Sequence, residues 1–90
     1  MRIREILIKL ITEEKIYKKH GIHRAEINNA LLEGNPIFFR TRDNKYVAIA
    51  RKERYITIIF HYKREIADIS TAYQSSDWQI KLYKGKRLEK

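Results

Sequence analysis

The chain has 90 residues, with 20 Lys and Arg against 11 Asp and Glu, a formal net charge of +9 and 43% hydrophobic residues. Such a length specifies one small domain, residues 1–90, with room for a compact core but little for a deep, enclosed cofactor pocket. Its hydrophobic share argues against disorder, and the absence of cysteine removes disulfides and thiolate metal sites.

The longest apolar runs, such as "ITIIF", fall far short of the ~20 residues that cross a bilayer. At the N-terminus, "MRIREILIKL" is interrupted by Arg4, Glu5 and Lys9 and lacks the h-region and cleavage site of a signal peptide. The expectation is a soluble, cytoplasmic domain with no membrane partner.

In chain order, Ile3, Ile6, Leu7, Leu10 and Ile11 recur at the spacing of one helical stripe and predict a first helix. Ile8 falls off that stripe, which leaves a strand open as the alternative. Thr12-Glu13-Glu14 suits the end of one helix or the cap of another. A second helix is predicted from near His23, with Glu26 placed for a capping box, Ile22 and Ile27 spaced as a hydrophobic staple, and Gly34-Asn35-Pro36 as its stop. "IFFRT", "KYVAIAR", "YITIIFHY" and "IADISTAY" then read as four strands separated by "RDN", "KER" and "KRE", hence an antiparallel meander with "YITIIFHY" at its centre. Ser76 and Gln79 form a capping-box pattern for a short final helix, with Asp77 in its first turn, Gly85 as its stop and a basic tail beyond. The predicted class is α+β: N-terminal helices packed on a four-stranded antiparallel sheet, with a short C-terminal helix.

Charge is unevenly spread. Residues 1–36 carry seven basic against five acidic side chains, residues 37–64 eight against two, residues 65–77 none against three, and residues 78–90 five against one. The excess sits on the central strands and the C-terminus, and so basic a surface suits an anionic partner, most often nucleic acid.

"KHGIHRAEINNALLEG", "RDNKYVAIA", "YITIIFHY" and "IADISTAYQSSDW" resemble the small prokaryotic domain labelled DUF4258, and the "KHGI" step is similar to the BrnT family of toxins. Both groups are similar in arrangement to the RelE/ParE-like ribonuclease toxins. The resemblance spans residues 13–84. It implies a RelE-like fold, a toxin-like endoribonuclease acting on RNA, and inhibition by a separately encoded, acidic antitoxin protein. His20 would belong to the site by the same resemblance.

Cleaving RNA without a metal or cofactor requires a base for the 2′-hydroxyl proton, cations for the phosphorane charge and an acid for the leaving oxygen. His61, between Phe60 and Tyr62 late in the central strand, is the candidate proton carrier, beside Arg51 or Arg64. Tyr73, at the end of the last strand, suits an acid/base or stacking role. Arg40, Arg42, Lys45, Arg54, Lys63, Lys81, Lys84 and Arg87 are candidate phosphate contacts, and Tyr83 a contact for phosphate or base. Helical spacing places Trp78 with Leu82 on the core side of the final helix. Asp68 reads as a structural hydrogen-bond partner, and His20 with His23 as too few ligands for a metal. Two readings stand beside the ribonuclease: a non-catalytic RNA-binding module, and a protein-interaction domain with a basic face.

Overall fold

The computed structural model describes residues 1–88, with side chains described through Lys86. The elements are β1 (Glu5–Leu7), α1 (Leu10–His20), α2 (Arg24–Glu33), β2 (Ile37–Arg40), β3 (Tyr46–Arg51), β4 (Tyr55–Lys63), β5 (Ile66–Gln74) and α3 (Asp77–Leu88). They form an α+β fold around a five-stranded sheet of order β1-β5-β4-β3-β2. Strands β2 to β5 are the predicted meander, with β4 at the centre.

The predicted first helix is replaced by β1, which pairs parallel with β5, so the sheet is mixed and has five strands. The deciding residue is Ile8. It is buried, and Ile6 packs against the same core, a period of two that belongs to extended chain. The stripe Leu10–Ile11 does not turn inward; these residues are 72% and 62% exposed. α1 starts only at Leu10 and packs on the core through Ile16.

α2 begins after His23 and ends at Gly34, as its sequence predicts, and buries Ile27, Ala30 and Leu31. Ile22 and Ile27, the staple pair, are both buried. The expected capping box is not made. Histidine offers no short oxygen acceptor to the first turn, and the Glu26 carboxylate instead receives Arg54 Nε at 2.6 Å and Nη2 at 2.9 Å. Arg24 fastens the N-terminal segment to α2, donating to the Ile8 carbonyl at 2.7 Å and lying 3.3 Å from Glu13.

Alternation along the strands gives the sheet two distinct faces. Ile56, Ile58 and Phe60 of β4, Ala48 and Ala50 of β3, and Ala67, Ile69 and Ala72 of β5 form the core under α1 and α2. The opposite face carries Tyr55, Thr57, Ile59, His61 and Lys63 of β4. α3 covers only one end of that face, through the Gln79 contact with Thr57 and the Tyr83 ring against Tyr55. The other end stays open.

The α3 cap is made as predicted in one half: Gln79 Oε1 accepts from the Ser76 N–H at 2.9 Å. Two other expectations for α3 fail. The helix runs through Gly85 to Leu88, because one glycine costs about 1 kcal/mol in a helix without ending it. Trp78 is 64% exposed, not core; buried Gln79 and Tyr83 face the sheet in its place. No described helix is long and apolar enough to cross a membrane.

The β4–β5 turn carries backbone strain. Lys63 pairs with Ile66, which leaves Arg64 and Glu65 as a two-residue loop, with φ of 54° and 66°. A turn with positive φ at both central residues matches strand twist but favours Asn-Gly, since a Cβ in the left-handed region costs roughly 1–2 kcal/mol per residue. Glu65→Gly is therefore expected to raise stability by about 1 kcal/mol, or roughly 4–8 °C in Tm. Thermal unfolding that shows no gain would count against strain at this turn.

Candidate nucleic-acid interface

His61 and Asp68 are directly opposed on the antiparallel β4–β5 ladder, so their Cβ atoms lie about 5 Å apart on the open face. Together with Leu7, Lys63, Arg64 and Ile66 they line an open groove of about 400 Å³. One strand end thus brings together an exposed imidazole, a carboxylate and two cations. The strained turn holds Arg64 beside Lys63 and His61, at the rim. Strain of this kind persists where surrounding structure over-determines it.

The neighbouring β2–β3 turn adds more charge. Arg42 is exposed there, and Lys45 Nζ lies 3.8 Å from Asp43. The Thr41 hydroxyl donates to Asp43, and that bond chiefly holds the carboxylate below its ordinary pKa of 3.8. Because the folded pKa is depressed, this contribution to the turn is present above pH 3.8 and is lost as pH falls through the lower folded value. Arg40 sits on the helix-covered side, its guanidinium 5.9 Å from the Tyr46 ring centre and bonded to Asn44 Oδ1.

The other candidates are elsewhere. Arg51 pairs with Tyr55, six residues along β4 from His61, a separation of about 20 Å. Arg51 and His61 therefore cannot act on one phosphate, whereas Arg64 and His61 share a groove. Arg51 belongs to a second basic cluster, in which its guanidinium and Lys84 Nζ lie 5.1 and 5.9 Å from the Tyr55 ring centre. This contact does join the central strands to the C-terminal helix, the two basic segments of the sequence. Lys81 is exposed on the same helix.

Tyr73 is opposite Thr57, four residues from His61, or about 13 Å, again too far to share its phosphate. Its hydroxyl accepts from Gln79 Nε2 at 3.0 Å, and its ring centre lies 6.0 Å from that of His20.

Two candidates are committed to the fold. Arg54 is clamped by Glu26 and donates to the Gly21 carbonyl at 3.1 Å. The Glu26 hydrogen bond raises its pKa above the ordinary arginine value, so this cation already has its counter-ion. Tyr83 is 8% exposed and its hydroxyl donates to the Gly34 and Asn35 carbonyls at 3.1 and 3.0 Å. It anchors α3 and presents no face for a base. The side chain of Arg87 lies outside the described residues.

His20 and His23 do not converge: His20 faces Tyr73, while the His23 ring packs 4.5 Å from Tyr17. Among the described residues no three His, Asp or Glu side chains are grouped as a metal site needs.

Sequence reasoning passed over Asp68 as a site residue. The available signal was the turn: once Lys63 pairs with Ile66, counting back places His61 on Asp68.

No protein-family model and no curated protein matches the chain in sequence, so the likeness to DUF4258 gains no support there. Among solved structures, the fold is similar to the crystal structure of the Brucella abortus ribonuclease toxin BrnT. The TM-score is 0.66 and identity 19%, over 81% of this chain and 97% of that one. The shared feature at that sequence distance is the α+β fold itself.

Proposed function

We propose that the protein is a toxin-like endoribonuclease that cleaves single-stranded RNA on the open face of its sheet. The observation that carries the reading is the His61–Asp68 pair, which shares one open groove with Lys63 and Arg64. The net charge of +9 favours a polyanion, and the fold is that of a protein described as a ribonuclease toxin.

In this reading a neutral His61 imidazole takes the proton of a ribose 2′-hydroxyl. The freed oxygen attacks the adjacent phosphorus, forming a 2′,3′-cyclic phosphate and breaking the bond to the 5′-oxygen. Lys63 and Arg64 balance the charge that builds on the phosphorane. Asp68 orients the imidazole and stabilises its protonated form, as a carboxylate does for a histidine base elsewhere. The groove is open to water, which protonates the departing oxygen and takes the proton back from the imidazolium, so that the base is reset. Arg42, Lys45, Arg51, Lys81 and Lys84 extend the track for the phosphate backbone, and the exposed Trp78 indole offers a stacking surface.

A protein partner is a second proposal, carried by exposed Leu10, Ile11 and Trp78. With a basic toxin, that partner is an acidic antitoxin covering the same charge. The test is incubation of purified protein with end-labelled single-stranded RNA. Discrete fragments support the nuclease; salt-sensitive binding with intact RNA leaves an RNA-binding module.

A further inference from the structure

A second recess, of about 280 Å³, lies where α1 runs beside the outer edge of β5. Thr12, Lys15, Lys19 and His20 line it from α1, and Ser70 and Thr71 from β5. On the helix, Thr12, Lys15 and Lys19 are spaced i, i+3 and i+7 and share one face. Lys15 and Lys19 are like charges one turn apart, a mildly unfavourable arrangement by itself. Among the ion pairs of the described residues neither lysine has a counter-ion.

The strand side is built for exposure. β1 pairs with β5 only through Asp68, so beyond that residue the outer edge of β5 has no strand against it. The ladder with β4 also slips here: Ile59 pairs with Thr71 and Phe60 with Ile69, which leaves Ser70 as an extra residue in a bulge. Bulges re-aim side chains next to sites. The result is two ammonium groups, an imidazole and three hydroxyls around one small recess, with no carboxylate lining it.

We infer that this recess binds a backbone phosphate of the RNA strand whose scissile phosphate lies in the His61 groove. The inference rests on the ribonuclease reading for that strand's path. Thr71 and Asp68 are three residues apart on β5, roughly 10 Å, so one chain can occupy both. Lys15 and Lys19 neutralise the phosphate, and the Ser70 and Thr71 hydroxyls donate to its oxygens.

The test is binding of a fluorescent, fully 2′-O-methylated single-stranded RNA, which offers no 2′-hydroxyl to attack. Binding is thus read whether or not the protein is a nuclease. Lys15→Gln/Lys19→Gln is expected to reduce the slope of log affinity against log salt by about 0.7, one single-strand phosphate's worth. Lys18→Gln, an exposed lysine of α1 outside the recess, leaves the slope unchanged. Equal slopes for the double variant and the wild type overturn the inference, as does an equal loss per charge at Lys18. The small-anion alternative is read by amide shifts at Lys15, Lys19, Ser70 and Thr71. They are expected with the oligonucleotide and absent with inorganic phosphate at the same phosphate concentration; equal shifts with both overturn the assignment to RNA. Absence of cleavage by the wild type, with the slope change present, refutes the nuclease reading alone.

Discussion

His61→Asn is expected to lower the rate of RNA cleavage by about 10²–10⁴-fold, the usual contribution of a positioned proton carrier. His61 is exposed on the open face, and the core under α1 and α2 is built from its neighbours of opposite parity, so the substitution removes no core packing. The variant's thermal unfolding should match the wild type within about 0.5 kcal/mol. Asparagine cannot take a proton at neutral pH, yet it keeps a polar group across the ladder from Asp68. RNA affinity, set mainly by the cations, should change little. An equally active His61→Asn protein would remove His61 from the chemistry and with it the groove as the cleavage site.

Gln79→Ala is expected to destabilise the protein by about 3 kcal/mol, the cost of leaving buried polar groups unpaired. Gln79 is 5% exposed and connects three elements. Its Oε1 accepts from Thr57 Oγ1 at 3.0 Å and from the Ser76 N–H, and its Nε2 donates to the Tyr73 hydroxyl. Thr57 also bonds Ser75, Oγ1 to Oγ at 2.8 Å. Losing the amide strips the cap from α3 and the polar contact between that helix and β4 in one step, leaving the Tyr83 ring against Tyr55. Urea unfolding of Gln79→Ala, Thr57→Val and the double variant measures the coupling, expected between about 0.5 and 3 kcal/mol. Additive losses would show that the residues do not act as a network. Because α3 carries Lys84 to the Arg51–Tyr55 cluster, the same variant should weaken RNA binding as well.

The meander, α2 and α3 were legible because each rests on local signals: β-branched alternation, the Gly34-Asn35-Pro36 stop, and the Ser76–Gln79 box. β1 was not. Ile3, Ile6, Leu7, Leu10 and Ile11 satisfy a helical period, and only the burial of Ile8 against a distant strand decides for extended chain. Trp78 failed for a related reason. A helical wheel ranks residues by hydrophobicity, but the surface under α3 presents Thr57, so a glutamine that satisfies its hydroxyl is buried and the indole is left in water.

The site was partly legible. His61, Lys63 and Arg64 are consecutive or nearly so, and any strand through them keeps them together. Their partner Asp68 depends on register, and reading "KRE" as a three-residue loop sets His61 against Ala67 instead. Arg51 was misjoined to His61 because charge blocks carry no distance along a strand. Arg54 and Tyr83 look like ligand-binding side chains in sequence; only tertiary structure supplies Glu26 to one and the Gly34 and Asn35 carbonyls to the other. The Lys15–Lys19 face was hidden by the near-balanced charge of its segment.

The central claim is that the open face cleaves RNA by attack of its own 2′-hydroxyl. Mass spectrometry of the fragments made by the purified wild-type protein from single-stranded RNA, in the presence of a chelator, tests it most directly. The prediction is upstream fragments ending in a 2′,3′-cyclic phosphate and downstream fragments beginning with a 5′-hydroxyl, both absent with His61→Asn. Intact RNA, or fragments with 3′-hydroxyl and 5′-phosphate ends, would contradict it.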